Sequence, residues 1–114
     1  IDHLKTTISG TTISSPSQII NAIHPTPAVG GAPTGKALLT IKKEESHNRS
    51  FYSGYLGEID NMNCKLFVNL RCVHVKKNKA KIFVGGGITV DSKPEKEWEE
   101  IINKSQTILK ALFR

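Results

Sequence analysis

The chain has 114 residues, 38% hydrophobic and 23% charged, a composition that fits one globular unit and excludes a disordered polyelectrolyte. Its longest apolar runs, "LFV", "KIFV" and "ILKALF", fall far short of a membrane span and no charged-then-apolar leader opens it, so no membrane partner and a cytoplasmic location are expected. A net charge of +6 suits an anionic partner, but the lysines are scattered among only seven Phe, Tyr and Trp residues, so a nucleic-acid partner is not expected.

In chain order, residues 1–12 are β-branched and weakly alternating, which predicts a strand. "SSPSQIINAI" predicts a short helix, with Ser15 as the cap, Pro16 at the first helical position and Gln18 placed to reach back. "HPTPAVGGAP", residues 24–33, packs three prolines and two adjacent glycines into ten residues and excludes a regular helix or strand there. "TGKALLTIKKEE" predicts a second helix with Ala37, Leu38 and Ile41 on one face. "RSFYSGYLGEI" and "KLFVNLRCVHV" read as two strands joined by the turn "DNMN", and "KKNK" leads into "AKIFV", giving a three-stranded meander. From Pro94 to Phe113 a final helix is predicted, with Trp98, Ile101, Ile102, Ile108, Leu109 and Leu112 as its apolar face. Cys64 and Cys72 lack CxxC or metal-ligand spacing and are expected to be reduced and partly buried. No repeat or linker divides the chain, so residues 1–114 are treated as one unit. The first residues, without a methionine, read as the interior of a longer protein.

Three places carry chemistry. On the final helix Glu97, Glu100 and Lys104 fall within about 60° of one another at the margin of the apolar face. They form either a solvated edge with a Glu100–Lys104 pair or the carboxylates of a hard-cation site. In "LFVNLRCVHV" both strand faces are largely apolar, so Arg71 needs an acidic partner or an anionic ligand. Gly85, Gly86 and Gly87 follow a strand and serve either a tight turn or a close backbone approach to an anion. Neither nucleotide motifs nor a nucleophile with a base at catalytic spacing is present. Together the three places imply a small polyanionic ligand.

Four ordered motifs, "HPTPAVGGAP", "RSFYSGYLGEID", "NLRCVHV" and "FVGGGITVDSKPEKEWEEIINK", give the chain a resemblance over residues 3 to 112. It resembles the C-terminal part of the chorismate-utilising enzymes, and within them the isochorismate synthases most. The resemblance implies an α+β fold, the C-terminal portion of the large chorismate-binding α/β fold, with antiparallel strands and packed helices. It implies that Glu100 and Glu97 hold Mg²⁺ and that Lys104 lies by the ring carboxylate of chorismate. Arg71 would grip the enolpyruvyl carboxylate, Gly85 would offer a backbone contact, and Tyr52 would hydrogen-bond the enolpyruvyl group. The corner 24–33 would wall the substrate ring, with Ala28, where other members have threonine, steering product choice toward isochorismate.

The implied reaction is the reversible Mg²⁺-dependent isomerisation of chorismate to isochorismate, feeding menaquinone or a catechol siderophore. The base and acid it needs, a lysine and a glutamate, would lie upstream, so the chain alone is expected to be inactive, with exposed edges that drive self-association. The alternatives are a salicylate or anthranilate synthase, or a non-catalytic structural or binding domain.

Overall fold

Helix α1 (Pro16–Ile23) begins where its capping groups dictate: the Gln18 N–H donates to Ser15 Oγ at 3.4 Å and the Ser15 N–H donates to Gln18 Oε1 at 2.8 Å. Pro16 and Ile20 are its buried residues. The computed structural model describes residues 5–61 and 63–113.

The expected strand over residues 1–12 is not formed by residues 5–12, which lie outside any helix or strand, while residues 1–4 fall outside the described residues. β-branched residues favour a pleated surface only where another strand supplies the ladder, and none does here. The proline corner also departs from expectation, because it contains one helical turn, α2 (Pro27–Gly30). Pro27 occupies the first helical position, where its missing N–H costs nothing. The turn ends at Gly31 (φ 87°), where a Cβ would stand 2.7 Å from Ala37 Cβ. Glycine there lets the corner close onto α3 (Thr34–Glu44), whose Ala37, Leu38 and Ile41 are half-buried.

Four short strands follow: β1 (Tyr55–Asp60), β2 (Asn63–Val68), β3 (Cys72–Lys76) and β4 (Lys79–Phe83). β1 pairs antiparallel with β2 through Asp60↔Asn63 to Tyr55↔Val68, and β3 pairs antiparallel with β4 through Lys76↔Lys79 to Cys72↔Phe83. The expected meander is therefore two separate hairpins. "KLFVNLRCVHV" is broken at residues 69–71, where Asn69 turns to its neighbours: its backbone bonds Ser53 and Gly54, and its amide donates to the Phe51 carbonyl at 3.0 Å. Residues 50–53 form a turn rather than the start of β1, with Ser50 and Ser53 at positive φ. The hairpin turn at 60–63 is as expected, with Met62 outside the described residues. Both cysteines are free; Cys72 is half-buried, but Cys64 is exposed because no layer covers its hairpin.

The last element, α4 (Pro94–Leu112), matches its apolar periodicity but buries none of that face fully, and Trp98 is 63% exposed. The result is a mixed α+β arrangement in which Ile20 and Phe83 are the buried hydrophobic residues among those described. No helix among them is long and apolar enough to cross a membrane.

The exposed area measures the incompleteness of this core. The chain presents 10217 Å² to solvent, whereas a compact monomer of its mass exposes about 6,200 Å². Its radius of gyration, 16.4 Å, likewise exceeds the roughly 13 Å of a closed globule of this length. Leu56, Phe67, Leu70 and Trp98 are among the large apolar groups left at the surface. The isolated chain is expected to sediment as species larger than a monomer and to bind an apolar dye. A monodisperse monomer without dye binding would contradict the exposure described.

Candidate functional site

Lys104 projects from the middle of α4 and its Nζ donates to the Gly85 carbonyl at 2.9 Å. The same ammonium pairs with Glu100 one turn earlier, so the lysine bridges the helix and the glycine run that follows β4. A Glu to Lys pair at this spacing stabilises a helix by only about 0.2–0.5 kcal/mol, and Glu100 stays half-exposed. The Glu100–Lys104 pair is thus formed, and the bond to Gly85 adds what helical geometry alone cannot supply. It fixes the ammonium beside a backbone that follows a different element.

Glu97 is the second carboxylate of the stripe. Ser92 donates to its Oε1 at 2.6 Å while accepting from the Thr89 N–H at 3.0 Å, so the loop before α4 holds the carboxylate from one side. Its other oxygen faces the glycine run, 3.4 Å from where a Cβ at Gly86 would lie. At the glycine run one carboxylate, Glu97, thus comes close to Gly86 and one ammonium, Lys104, bonds the Gly85 carbonyl.

Arg71 stands across from this edge. The break in the strand run places it between β2 and β3, exposed, rather than on a buried strand face, and no ion pair or hydrogen bond holds it among the described residues. An exposed guanidinium carries no desolvation cost, which removes the need for the acidic partner anticipated from the strand pattern. Arg71, Glu100 and Lys104 nevertheless line one open hollow of about 490 Å³, with Lys96, Glu99, Asn103 and Thr107. Its chemistry is a guanidinium and two ammonium groups facing two carboxylates. Among the described residues no group of three or more His, Cys, Asp or Glu side chains gathers to hold a metal. Of the two carboxylates expected to hold a hard cation, Glu100 lines this hollow, whereas Glu97, one turn earlier and held by Ser92, is not among its lining residues.

Tyr52 reaches the same glycine from the opposite side. A Cβ at Gly85 would lie 2.3 Å from Tyr52 Oη, so the phenol occupies the space a side chain would take. Its ring stacks on buried Phe83 with centroids 5.9 Å apart and borders a second, more apolar hollow of about 310 Å³ between the hairpins. This hollow lacks charged groups for an anion, so the Arg71–Lys104 hollow is the better match to one. Ala28 lies exposed on α2 and is not among the residues lining either hollow.

A cluster beside Tyr52 was not anticipated from the sequence. Arg49 donates from Nε to Glu45 Oε2 at 2.7 Å, makes a second, shorter bond to Oε1, and donates to Ser53 Oγ at 3.0 Å. Its guanidinium lies 5.7 Å from the Tyr52 ring centre. Burial pushes the Tyr52 phenol above its usual range, and the Arg49 charge offsets part of that rise. The hydrogen bond from Arg49 holds the Glu45 carboxyl below its ordinary value of 4.5. The signal in the sequence was the i,i+4 spacing of Glu45 and Arg49 in "EESHNR".

Two expectations follow. Gly85→Ala should displace the Tyr52 ring from Phe83 and destabilise the fold by about 1–3 kcal/mol, read by denaturant unfolding together with tyrosine fluorescence. Because the folded Glu45 pKa is depressed, the stability it contributes is present above pH 4.5 and disappears as pH falls through the lower, folded value. Arg49→Gln should remove that acid-limb component from stability measured against pH.

The family profile described as "Chorismate binding enzyme" matches residues 1–113. The chain is 35% identical over 115 residues to the isochorismate synthase DhbC of Bacillus subtilis, covering 96% of this chain and 29% of that protein. It is 37% identical over 114 residues to the vibriobactin-specific isochorismate synthase of Vibrio cholerae, with 96% and 29% covered. It is 34% identical over 95 residues to anthranilate synthase component 1 of Aquifex aeolicus, with 82% and 19% covered. The chain thus spans less than a third of the length of these relatives. With the profile matched along almost all of its residues and the charged hollow built from the matching segments, the chain belongs to the chorismate binding enzymes.

Proposed function

We propose that the chain is the C-terminal part of a longer, Mg²⁺-dependent isochorismate synthase and supplies the carboxylate-binding side of its active site. The observation that carries this reading is the hollow in which Arg71 faces Glu100 and Lys104, with Lys104 anchored on the Gly85 carbonyl. Chorismate has two carboxylates, and the hollow has cationic groups on both sides. Arg71, without a hydrogen bond or ion pair among the described residues, is available for a two-point bond to the enolpyruvyl carboxylate. Lys104 would neutralise part of the ring carboxylate, its position set from both Glu100 and Gly85. Tyr52 would contact the enolpyruvyl group from beside Gly85.

Glu97 and Glu100 fit the cation in donor type. Mg²⁺ takes one or two carboxylates and completes its shell with water and an anionic ligand. Among the described residues no group of three His, Cys, Asp or Glu side chains gathers here, so two carboxylates would leave room for the substrate carboxylate. When bound, Mg²⁺ would neutralise and orient that carboxylate. Ser92 on Oε1 of Glu97 leaves Oε2 toward the glycine run.

The reaction adds water at C2 of the ring as the C4 hydroxyl departs. One proton passes from the attacking water to a base and one from an acid to the leaving oxygen, so the product is an isomer of the substrate. Resemblance assigns base and acid to a lysine and a glutamate outside this chain, which therefore should not turn over chorismate alone. The product would feed menaquinone or a catechol siderophore.

Similarity to an anthranilate synthase component supports a second reading within the family, whereas the "HPTPA" context with Ala28 favours isochorismate. Chromatographic analysis of products from the longer enzyme with chorismate and Mg²⁺ separates the two. Isochorismate supports the proposal; salicylate, or anthranilate when ammonia is supplied, overturns it, as would consumption of chorismate by the 114-residue chain. Arg71→Gln is expected to raise KM about tenfold or more, since a hydrogen bond to a charged group is worth about 1.5–3 kcal/mol. Glu100→Gln should lower kcat and weaken the activating effect of added Mg²⁺.

A further inference from the structure

We infer that Arg49 is a positioning residue for substrate: held by Glu45, it fixes the Tyr52 ring between itself and Phe83 so that the phenol oxygen stays against Gly85. This rests on the reading of Tyr52 as a contact to the enolpyruvyl group.

The argument begins with what a tyrosine at this place lacks. The Tyr52 side chain makes no hydrogen bond among the described residues, so nothing polar aims its hydroxyl. Its backbone is held in the turn by the bond from its N–H to the Arg49 carbonyl at 2.9 Å, and its ring is placed by two ring contacts, Phe83 stacked at 5.9 Å and the Arg49 guanidinium at 5.7 Å. Phe83 is buried at the end of β4, at 6% exposure. Arg49 stands in an irregular loop, where a long side chain would ordinarily sample many rotamers.

Glu45 removes that freedom. It is the C-cap residue of α3, and its carboxylate receives two bonds from the planar fork of Arg49, a geometry a lysine cannot reproduce. A third bond runs from Arg49 to Ser53 Oγ, on the far side of Tyr52 in sequence. The guanidinium is thus tied to the end of a helix and to the residue after the tyrosine, and the intervening ring has one place to lie. The consequence falls on Gly85, whose missing side chain leaves the space that the phenol oxygen fills and whose carbonyl binds Lys104. Two substrate-facing groups from different elements, Tyr52 and Lys104, therefore meet at one glycine.

The test uses the longer enzyme proposed above, with Arg49→Gln, Arg49→Lys, Glu45→Gln, Tyr52→Phe and the double variant Arg49→Gln/Tyr52→Phe. The first readout needs no substrate: the nuclear Overhauser contact between the Tyr52 and Phe83 rings, assigned by comparison with Tyr52→Phe. It should weaken in Arg49→Gln and in Glu45→Gln, and Arg49→Lys should restore little of it, while the Trp98 indole signal confirms that the variants remain folded. An unchanged ring contact in both Arg49→Gln and Glu45→Gln overturns the inference. The second readout is kinetic. Arg49→Gln should raise KM for chorismate about five- to thirtyfold with kcat within about threefold, the pattern of lost substrate binding. The double variant should be no worse than Tyr52→Phe by more than about twofold, because both changes remove one shared contact. Effects that multiply, or separated rings with KM unchanged, overturn the substrate-positioning role. Failure of the parent enzyme to use chorismate sinks the assigned reaction instead, and the ring contact then decides the Arg49 clamp alone.

Discussion

The bond from Lys104 to the Gly85 carbonyl is the constraint on which the site depends. The packing of α4 on the strands is thin: the helix buries no residue fully, and of its apolar face Ile101, Ile108 and Leu109 are half-buried while Trp98, Ile102 and Leu112 stay exposed. One ammonium shared between a helix carboxylate and a strand-end carbonyl sets the distance between the acidic edge of α4 and the glycines. Because no side chain stands at Gly85, the same point admits Tyr52 from the turn before β1. The charged edge, the phenol and the glycine run therefore share an origin in one backbone position, and Arg71 completes the hollow from the link between β2 and β3.

The surroundings of this point show how these side chains are ordered without a closed core. Order is concentrated around Phe83, which receives Tyr52, His47 and the Lys81 ammonium on its ring. Two short hairpins hold themselves by their own ladders, and α1 by its capping box. Burial over the rest of the chain is poor, so apolar transfer, the dominant favourable contribution in folding, is largely unrealised here. The surface of α4 and the outer hairpin faces fit a role as one part of a larger packed domain, in keeping with relatives more than three times as long.

Much of the local structure was legible because it rests on short-range physics. Ser15, Pro16 and Gln18 announce α1, and the three- and four-residue spacing from Trp98 to Leu112 announces α4, on which Glu97, Glu100 and Lys104 fall to one edge. The hairpin turns at 60–63 and 76–79 follow from their polar residues. What alternation could not reveal is where a ladder stops. "LFVNLRCVHV" reads as one strand, yet Asn69 spends its backbone and side-chain bonds on residues 51–54, and Arg71 leaves the sheet for the hollow. Residues 5–12 of the strand expected near the start stay unpaired for the mirror reason, since their pattern meets no partner strand among the described residues. The Glu45–Arg49–Tyr52 cluster went unseen because charge spacing shows which residues can meet and not which ring lies beneath them.

The most direct measurement of the account is a crystal structure of the longer enzyme with chorismate and Mg²⁺ bound. The account predicts the ring carboxylate between Lys104 and a cation on Glu100, with the enolpyruvyl carboxylate on Arg71. A ligand bound elsewhere, with Arg71 and Lys104 facing bulk solvent, would contradict it.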